Sequence, residues 1–234
     1  MSALACLPMY DWPETRGQVD LFYSLLCGLV PELPETLSRP DSAAELHRLW
    51  RDPALLLGQT CWGPLRAGLA DHVAVLAQPR YDDVTGGQGM FYRSAIVLRE
   101  EGGCPVPATP DACLPQGLER LRPAINAPDS LSGAIALTED LGVPLRAPLV
   151  TGSHRASIRA VADGRADYAA IDCRSWALAL MHEPAARRLT VAGWTAQRPG
   201  LPFITSRTTA PDIRARLTSA LVTLGAIAAL EEIP

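Results

Sequence analysis

Short apolar strands alternate with helices along most of this chain, and the turns between them are rich in glycine and hydroxyl side chains. Residues 4–9 predict a first strand, and residues 13–29, with apolar positions at helical spacing, predict the helix that follows it. This alternation is typical of open sheets with helices on both faces, in which ligands bind beyond the carboxyl ends of the strands. The sequence therefore predicts an α/β fold with open, mostly parallel sheets.

Three of the turns place hydroxyl side chains and backbone N–H groups at the expected start of a helix. They are residues 58–61, 129–133 and 151–155, with the sequences GQTC, DSLSG and TGSHR. A helix start leaves its first N–H groups without intrahelical partners and carries a partial positive charge, so it is suited to anions. If the fold brings the three turns together, they can surround a small oxyanion although the net charge of the chain is −4.

Composition excludes some classes of partner. The length of 234 residues suits one large domain or two lobes, and a net charge of −4 gives no electrostatic signature of a nucleic-acid-binding protein. Residues 1–8 lack the basic start of a secretion signal, and the apolar residues 217–230 are too few to span a membrane and predict a buried helix. We expect no transmembrane segment, and a protein that is periplasmic if a leader has been removed and cytoplasmic otherwise.

Metal, cofactor and catalytic motifs are not recognisable in the sequence. The six cysteines form no C-x-x-C pair, and the chain has no P-loop, G-x-S-x-G or H-E-x-x-H motif. Cys104 and Cys113 are close enough in sequence to bridge a loop, although free thiols are the simpler interpretation. We therefore expect no metal and no cofactor, and the motif search identifies no catalytic residue.

The candidate ligand-binding residues are polar or aromatic side chains at the predicted strand ends and helix starts. They are Tyr10, Gln59, Thr60, Tyr92, Ser130, Ser132, Ser153, His154 and Asp172. Hydroxyl groups donate hydrogen bonds to oxyanions, and the charge of a histidine is adjustable near neutral pH. Each type also has a purely structural role, because serine, threonine and aspartate cap helices and tyrosines pack at strand ends. The residues alone leave both interpretations open.

Taken in order, several segments resemble the phosphate/phosphonate-type substrate-binding proteins of ABC transporters. The matching segments are residues 56–65, 91–97, 126–133, 152–154, 161–172 and 199–206. The resemblance implies a type II periplasmic-binding-protein fold, in which two α/β lobes are joined by two crossing strands that act as a hinge and close over a ligand. It places the first lobe at residues 1–92 and 206–234, and the second at residues 93–205.

The resemblance also implies a function. It identifies the chain as a solute-binding protein that captures a small oxyanion-bearing ligand, such as phosphate, phosphite or a phosphonate, in the cleft between the lobes for uptake through an ABC permease. The same fold hosts enzymes of thiamine-pyrimidine and menaquinone biosynthesis, so a cytoplasmic enzyme or sensor is the alternative. An enzyme needs a titratable pair, and His154 with Asp172 is the pair that the sequence offers.

Overall fold

The computed structural model of the protein describes residues 3–99 and 107–228. The strands are β1 Leu4–Cys6, β2 Leu55–Gln59, β3 Val73–Gln78, β4 Gly87–Gln88, β5 Phe91–Tyr92, β6 Ser94–Arg99, β7 Pro123–Ile125, β8 Leu149–Val150, β9 Tyr168–Asp172, β10 Leu189–Trp194, β11 Arg198–Pro199, β12 Phe203–Ser206 and β13 Ile227–Ala228. The α-helices are α1 Arg16–Leu29, α2 Ala43–Trp50, α3 Trp62–Arg66, α4 Ala136–Leu141, α5 His154–Ala162, α6 Cys173–His182 and α7 Pro211–Thr223. Shorter helical turns are Leu69–Asp71, Leu118–Arg120, Leu131–Ile135 and Pro184–Arg188. This element order confirms the α/β class.

The first compact unit comprises Met1–Arg80 and Gly200–Pro234. Its sheet has the strand order β1-β2-β12-β3-β13. Strand β1 runs parallel to β2, whereas β12 runs antiparallel to both β2 and β3. Leu26 of α1 and Leu217 and Leu221 of α7 are fully buried in the core that covers this sheet. Because β2 and β3 both oppose β12, β1, β2 and β3 all end at the same edge of the sheet.

The second compact unit comprises Tyr81–Pro199. Its main sheet has the order β10-β6-β9-β7-β8, and β11, β5 and β4 form a small separate sheet. Strands β7, β8 and β9 are parallel, whereas β6 runs antiparallel to β9 and β10. The ends of β7 and β9 therefore lie at one edge of the sheet, together with the start of β6. The register places Ser94 opposite Asp172 at this edge.

Strand direction differs from the sequence-based expectation. The sheets are mixed rather than mostly parallel, because β12 in the first unit and β6 in the second run against their neighbours. The two compact units divide at 80/81 and 199/200, and the lobe limits at 92/93 and 205/206 that the resemblance implies stay a prediction. Strand β5 pairs with β4 and β11, and β12 pairs with β2 and β3. These ladders hold residues 91–92 in the second unit and residues 203–206 in the first.

The last helix is shorter than the sequence predicts. The sequence predicts a buried helix over residues 217–230, but α7 ends at Thr223 and β13 pairs with β3. Gly225 has a φ of +97°, a left-handed conformation that glycine adopts without strain and that turns the chain back toward the sheet. The helix prediction is therefore wrong from residue 224 to residue 228, and residues 229–230 lie outside the described residues.

In the described part of the chain, two of the cysteines are buried thiols of low reactivity. The described cysteines, which are Cys6, Cys27, Cys61, Cys113 and Cys173, form no disulfide with one another. Burial raises the pKa of Cys6 and of Cys173 to about 12, which keeps both thiols protonated and unreactive. Cys104 lies outside the described residues, so the choice between a Cys104–Cys113 bridge and free thiols stays a prediction.

A buried carboxylate fixes α5, the helix that begins at His154. Glu183 follows α6 and its side chain is 4% exposed. It accepts hydrogen bonds from Arg155 Nε at 2.7 Å and from Arg159 Nε at 2.9 Å. Burial opposes ionisation of Glu183, but the bonds from the two arginines outweigh it and lower its pKa. The network ties α5 to the chain that follows α6.

Replacing Glu183 with glutamine is expected to lower the free energy of unfolding by about 1.5 kcal/mol, because the side chain loses its charge beside Arg155 and Arg159 and one of its two accepting oxygens becomes an NH2 donor. Urea denaturation at pH 7 measures the change. In the unmodified protein, this contribution is present above the ordinary glutamate pKa and is lost as pH falls through the lowered pKa. Glu119→Gln is the matched control, since Glu119 is 42% exposed beside Arg120 and should change stability by less than about 0.5 kcal/mol. Equal effects of the two variants would contradict the argument.

Candidate ligand-binding site

Four of the predicted residues come together where β7 and β9 end. We call Ser130, Ser132, His154 and Asp172 the hydroxyl–imidazole cluster. Ser132 Oγ lies 2.9 Å from His154 Nε2 and 3.4 Å from Ser130 Oγ. His154 Nε2 is also 3.4 Å from Asp172 Oδ2. The structure thus joins the second and third hydroxyl-bearing turns of the sequence with the end of β9.

A wide helical turn presents the two serines. Leu131–Ile135 forms a π-helical turn in which the Ile135 N–H donates to Ser130 O at 3.0 Å, five residues back. Ser130 Oγ caps this turn by accepting from the Gly133 N–H at 3.2 Å. Ser94 Oγ, at the start of β6, donates to Ser132 O at 3.1 Å and fixes the turn to the sheet. Single π-helical turns of this kind occur frequently at functional sites.

Gly133 leaves room for a close approach of Asn126 and His154 to the turn. A Cβ atom built on Gly133 would lie 2.0 Å from Asn126 Oδ1 and 3.3 Å from His154 Cε1. Asn126 follows β7 directly, and its backbone oxygen accepts from the Gly152 N–H at 3.0 Å. Within the described residues, Asn126 Oδ1 is buried and has no hydrogen-bond partner. The glycine is therefore required for the asparagine and the histidine to reach the turn.

The protonation of His154 follows from its neighbours. Burial lowers the pKa of His154, and the nearby Asp172 carboxylate partly opposes this effect. A neutral imidazole beside that carboxylate is more stable with its proton on Nε2, because a lone pair on Nε2 would face Asp172 Oδ2. Nδ1 is then a lone pair, and in the described part of the chain it is buried without a partner.

The cluster contains a serine, a histidine and an aspartate, but its geometry is not that of a catalytic triad. A triad needs the hydroxyl at one imidazole nitrogen and the carboxylate at the other. Here Ser132 Oγ and Asp172 Oδ2 both lie at Nε2. Asp172 Oδ1 instead accepts from the Ser175 N–H at 2.9 Å and caps α6. The arrangement can bind a ligand at Nδ1, and it does not align Ser132 as a nucleophile.

Two further candidates of the second unit stand apart from the cluster's hydrogen bonds. Ser153 is exposed, and its Oγ caps α5 by accepting from the Ala156 N–H at 3.1 Å. Tyr92 is buried in β5, and its ring centroid lies 5.7 Å from that of Tyr81. The structure gives both residues the structural roles that the sequence left open, and their ligand contacts stay predictions.

The candidates of the first unit lie after β1 and at the end of β2. Gln59 is buried, and its Nε2 donates to Leu201 O at 3.3 Å. Thr60 is fully buried, and its N–H donates to Pro202 O at 3.1 Å. Tyr10 lies in a half-buried turn where its backbone oxygen accepts from Thr15 Oγ1 at 2.7 Å. All three residues belong to the first unit.

Asn126 and Ser94 lie beside the hydroxyl–imidazole cluster, and the sequence analysis did not identify them as site residues. Asn126 belongs to the segment that resembles the family, and its place directly after a strand is the signal that would have found it. Ser94 precedes an apolar strand and carries no signal of its own, because its role depends on the register with β9. The described residues contain no group of three or more metal-ligating side chains that could hold a metal ion.

Comparison with known protein families shows to which family the chain is related. A profile of the family described as "ABC transporter, phosphonate, periplasmic substrate-binding protein" matches residues 64–233, which is well over half of the chain. The chain belongs to this family. Its function is therefore solute binding, and the phosphonate-binding family implies a small ligand, a permease partner and a periplasmic location. A comparison with functionally curated proteins finds no match.

Solved structures of low sequence identity share the fold of this phosphonate-binding family member. PhnD1 from Prochlorococcus marinus in complex with methylphosphonate has a TM-score of 0.71 and 16% identity, over 95% of this chain and 85% of that one. XAC2383 from Xanthomonas citri bound to ATP has a TM-score of 0.66 and 15% identity, over 95% and 83%. The VFT2 domain of BvgS from Bordetella pertussis has a TM-score of 0.66 and 14% identity, over 96% and 88%. The predicted periplasmic-binding-protein fold is confirmed.

None of the helices in residues 3–99 and 107–228 has both the length and the hydropathy that crossing a membrane requires.

Proposed function

We propose that the hydroxyl–imidazole cluster binds the oxyanion of a phosphonate or a related phosphorus compound. The observation that carries the proposal is the pair of buried polar atoms beside the two serine hydroxyls. Among the described residues, His154 Nδ1 and Asn126 Oδ1 have no hydrogen-bond partner. Buried polar atoms without partners are rare in folded proteins, and each one calls for an explanation such as a ligand.

The chemistry of the cluster suits a tetrahedral oxyanion with a proton. Ser130 and Ser132 supply hydroxyl donors, and the start of the helical turn supplies backbone N–H groups. Nδ1 of His154 either takes a proton and donates to an anion oxygen or accepts from a P–OH group. Asn126 Oδ1 also accepts a hydrogen bond from a P–OH group or from another polar hydrogen of the ligand. A phosphonate offers acceptor oxygens and, as a monoanion, one donor.

Hydrogen bonds of this kind explain how a protein of net charge −4 binds an anion. Each hydrogen bond to a charged oxygen contributes about 1.5–3 kcal/mol when water is excluded. Three or four such bonds are enough for micromolar binding after the cost of ordering the ligand. The helix-start geometry replaces a cluster of arginines, as it does at other phosphate sites.

The proposal also includes delivery of the bound ligand to a permease. The family profile supports an ABC transporter as the destination of the ligand. We propose that a permease takes up the phosphonate from this protein on the periplasmic side of the membrane. Co-purification of this protein with an ABC permease, dependent on added methylphosphonate, tests this step, and no ligand-dependent association would contradict it.

Replacing Ser132 with alanine is expected to weaken methylphosphonate binding about tenfold, because one hydrogen bond to a charged oxygen is lost. Isothermal titration calorimetry of the purified protein with methylphosphonate and with inorganic phosphate measures the change. Ser42→Ala is the matched control, since Ser42 Oγ only caps α2 by accepting from the Glu45 N–H at 3.2 Å.

The control should lower the free energy of unfolding by about 1 kcal/mol and leave the affinity unchanged. Equal affinities of Ser132→Ala and the unmodified protein would mean that the cluster does not bind the anion.

A further inference from the structure

The side-chain oxygen of Asn126 requires something of the ligand that the hydroxyl–imidazole cluster itself does not. Asn126 Oδ1 accepts hydrogen bonds and cannot donate them, whereas a serine hydroxyl does either. His154 Nδ1 also adapts, because it accepts in the neutral imidazole and donates after it takes up a proton. Among the described residues, Asn126 Oδ1 is buried without a hydrogen-bond partner. A ligand that satisfies this oxygen must therefore bring an O–H or N–H donor of its own.

The contact with Gly133 determines which end of the Asn126 amide faces the turn. A Cβ built on Gly133 would lie 2.0 Å from Asn126 Oδ1, so the Gly133 Cα atom, one bond away, lies at most about 3.5 Å from this oxygen. A glycine carries a hydrogen where the Cβ would be. Cα–H groups make weak hydrogen bonds to oxygen at about 3.3–3.6 Å, whereas an NH2 group would oppose hydrogen to hydrogen. The close approach therefore favours the oxygen at this position over the NH2 group.

The same glycine brings the asparagine oxygen close to the imidazole. The built Cβ position lies 3.3 Å from His154 Cε1, the ring atom that is bonded to Nδ1. Asn126 Oδ1 and His154 Cε1 thus lie within 3.3 Å of one point beside the turn, and one small ligand can contact both side chains. Asn126, Gly133 and His154 all belong to the second unit, so its fold alone brings them together.

Negative charge near the cluster opposes a second charge on the ligand. The Asp172 side chain is 2% exposed, and its Oδ2 lies 3.4 Å from His154 Nε2. Asp129 directly precedes the first serine of the turn. A nearby like charge disfavours the ionised form of an acidic group. An oxyanion that keeps one O–H and one charge is therefore favoured over a fully ionised one.

We propose that this site selects a singly protonated oxyanion, a phosphonate or phosphate monoanion, and rejects sulfonates and sulfate. The inference rests on the proposed function, because it names the class and the protonation state of the ligand of that same site. Asn126 Oδ1 accepts the P–OH hydrogen, while the serine hydroxyls and the imidazole bind the other oxygens. A sulfonate has the same tetrahedral shape but no hydrogen on its oxygens at neutral pH, so it leaves the buried acceptor unpaired and directs a lone pair at it.

Methylphosphonate and methanesulfonate are the probes for the first test. They share their shape and, below the second pKa of the phosphonate, their charge. The phosphonate monoanion carries one O–H, and the sulfonate carries none. We expect isothermal titration calorimetry to show that the unmodified protein binds methylphosphonate at least about tenfold more tightly than methanesulfonate.

Replacing Asn126 with leucine should reduce this preference to about threefold or less, because the side chain keeps its size but presents no lone pair to the anion. Asn126→Ala is the second variant, which removes the oxygen without placing a larger group beside Gly133. Thr138→Val is the matched control, since Thr138 lies in α4 of the same unit and its Oγ1 donates to Ala134 O at 2.9 Å. The control should keep the full preference. An undiminished preference in a folded Asn126 variant would overturn the inference.

The pH dependence of the preference tests the inference without a substitution. Above its second pKa, methylphosphonate loses its O–H, whereas methanesulfonate does not change. The ratio of the two affinities should therefore fall as pH rises through that pKa. Titration of the protein's own groups, His154 among them, affects both probes to a similar extent and cancels from the ratio. A ratio that stays constant or rises would contradict the selection of a protonated ligand.

The outcomes separate this inference from the proposed function. Equal binding of methylphosphonate and methanesulfonate by the unmodified protein would overturn the selection and leave the oxyanion site standing. No binding of either probe and no binding of inorganic phosphate would overturn the proposed function and, with it, this inference.

Discussion

Replacing Gly133 with alanine is expected to weaken phosphonate binding about a hundredfold, which corresponds to about 2.7 kcal/mol. The added Cβ would lie 2.0 Å from Asn126 Oδ1 and 3.3 Å from His154 Cε1. No real Cβ tolerates the first distance, so the asparagine, the turn or both must move. The serine hydroxyls and the histidine then lose the arrangement on which the oxyanion depends, and the overpacked turn costs further energy.

Calorimetric titration with methylphosphonate measures this loss, and thermal unfolding shows whether the variant is folded. Gly28→Ala is the matched control, because Gly28 lies in α1 with an ordinary φ and open space around the new Cβ. That substitution should raise stability by up to about 1 kcal/mol through helix propensity and leave binding unchanged. A folded Gly133→Ala protein that binds methylphosphonate normally would show that the turn is not at the ligand.

Phosphonate affinity is expected to rise as pH falls, by up to about tenfold per pH unit. Burial lowers the pKa of His154 in the free protein, so Nδ1 carries no proton near neutral pH. An anion oxygen at Nδ1 favours the protonated imidazole and raises the pKa in the complex. Binding between these two pKa values therefore takes up a proton, from the solvent or from the P–OH group of the ligand. Below the pKa of the free protein the affinity levels off.

Titrations between pH 6 and pH 9 in buffers of different ionisation enthalpy measure both the affinity and the proton uptake. The His154→Gln variant should lose the protein's share of the pH dependence and keep only that of the ligand. An affinity that is constant or that rises with pH in the unmodified protein would contradict the assignment of Nδ1 to the ligand.

The stability of the unliganded protein depends on pH in the opposite direction from the binding affinity. The His154 side chain is 12% exposed, and burial holds its pKa below that of an unfolded histidine, which favours the neutral imidazole. Its contribution to stability is therefore present above the ordinary histidine pKa of about 6.5 and is lost as pH falls through the lowered value. Acid thus weakens the free protein while it strengthens the complex, and the two effects are separable in one series of measurements.

The part of the candidate cluster that the sequence indicates is the part that local chemistry determines. Ser130 and Ser132 lie in a turn whose hydroxyls and small residues indicate a helix start before any fold is known. Asp172 was placed at the end of a buried strand, and β9 ends there. Such local features can be predicted from the sequence, because helix caps and strand ends depend on residues that are close in sequence.

What the sequence did not show depends on contacts between distant segments. Gln78 is an ordinary polar residue at a strand end, and only the fold, in which β12 and β13 flank β3, shows that its side-chain atoms are buried with no hydrogen-bond partner among the described residues. The orientation of His154, with Nε2 toward Ser132, likewise depends on how α5 meets the turn. The end of α7 was missed because apolar residues continue past Gly225, where the backbone and not the hydropathy stops the helix.

A crystal structure of the protein grown with methylphosphonate tests the central claim most directly. The account predicts that phosphonate oxygens lie about 2.6–3.2 Å from Ser130 Oγ, Ser132 Oγ and His154 Nδ1. A phosphonate bound elsewhere, with Nδ1 of His154 unchanged and without a partner, would contradict it.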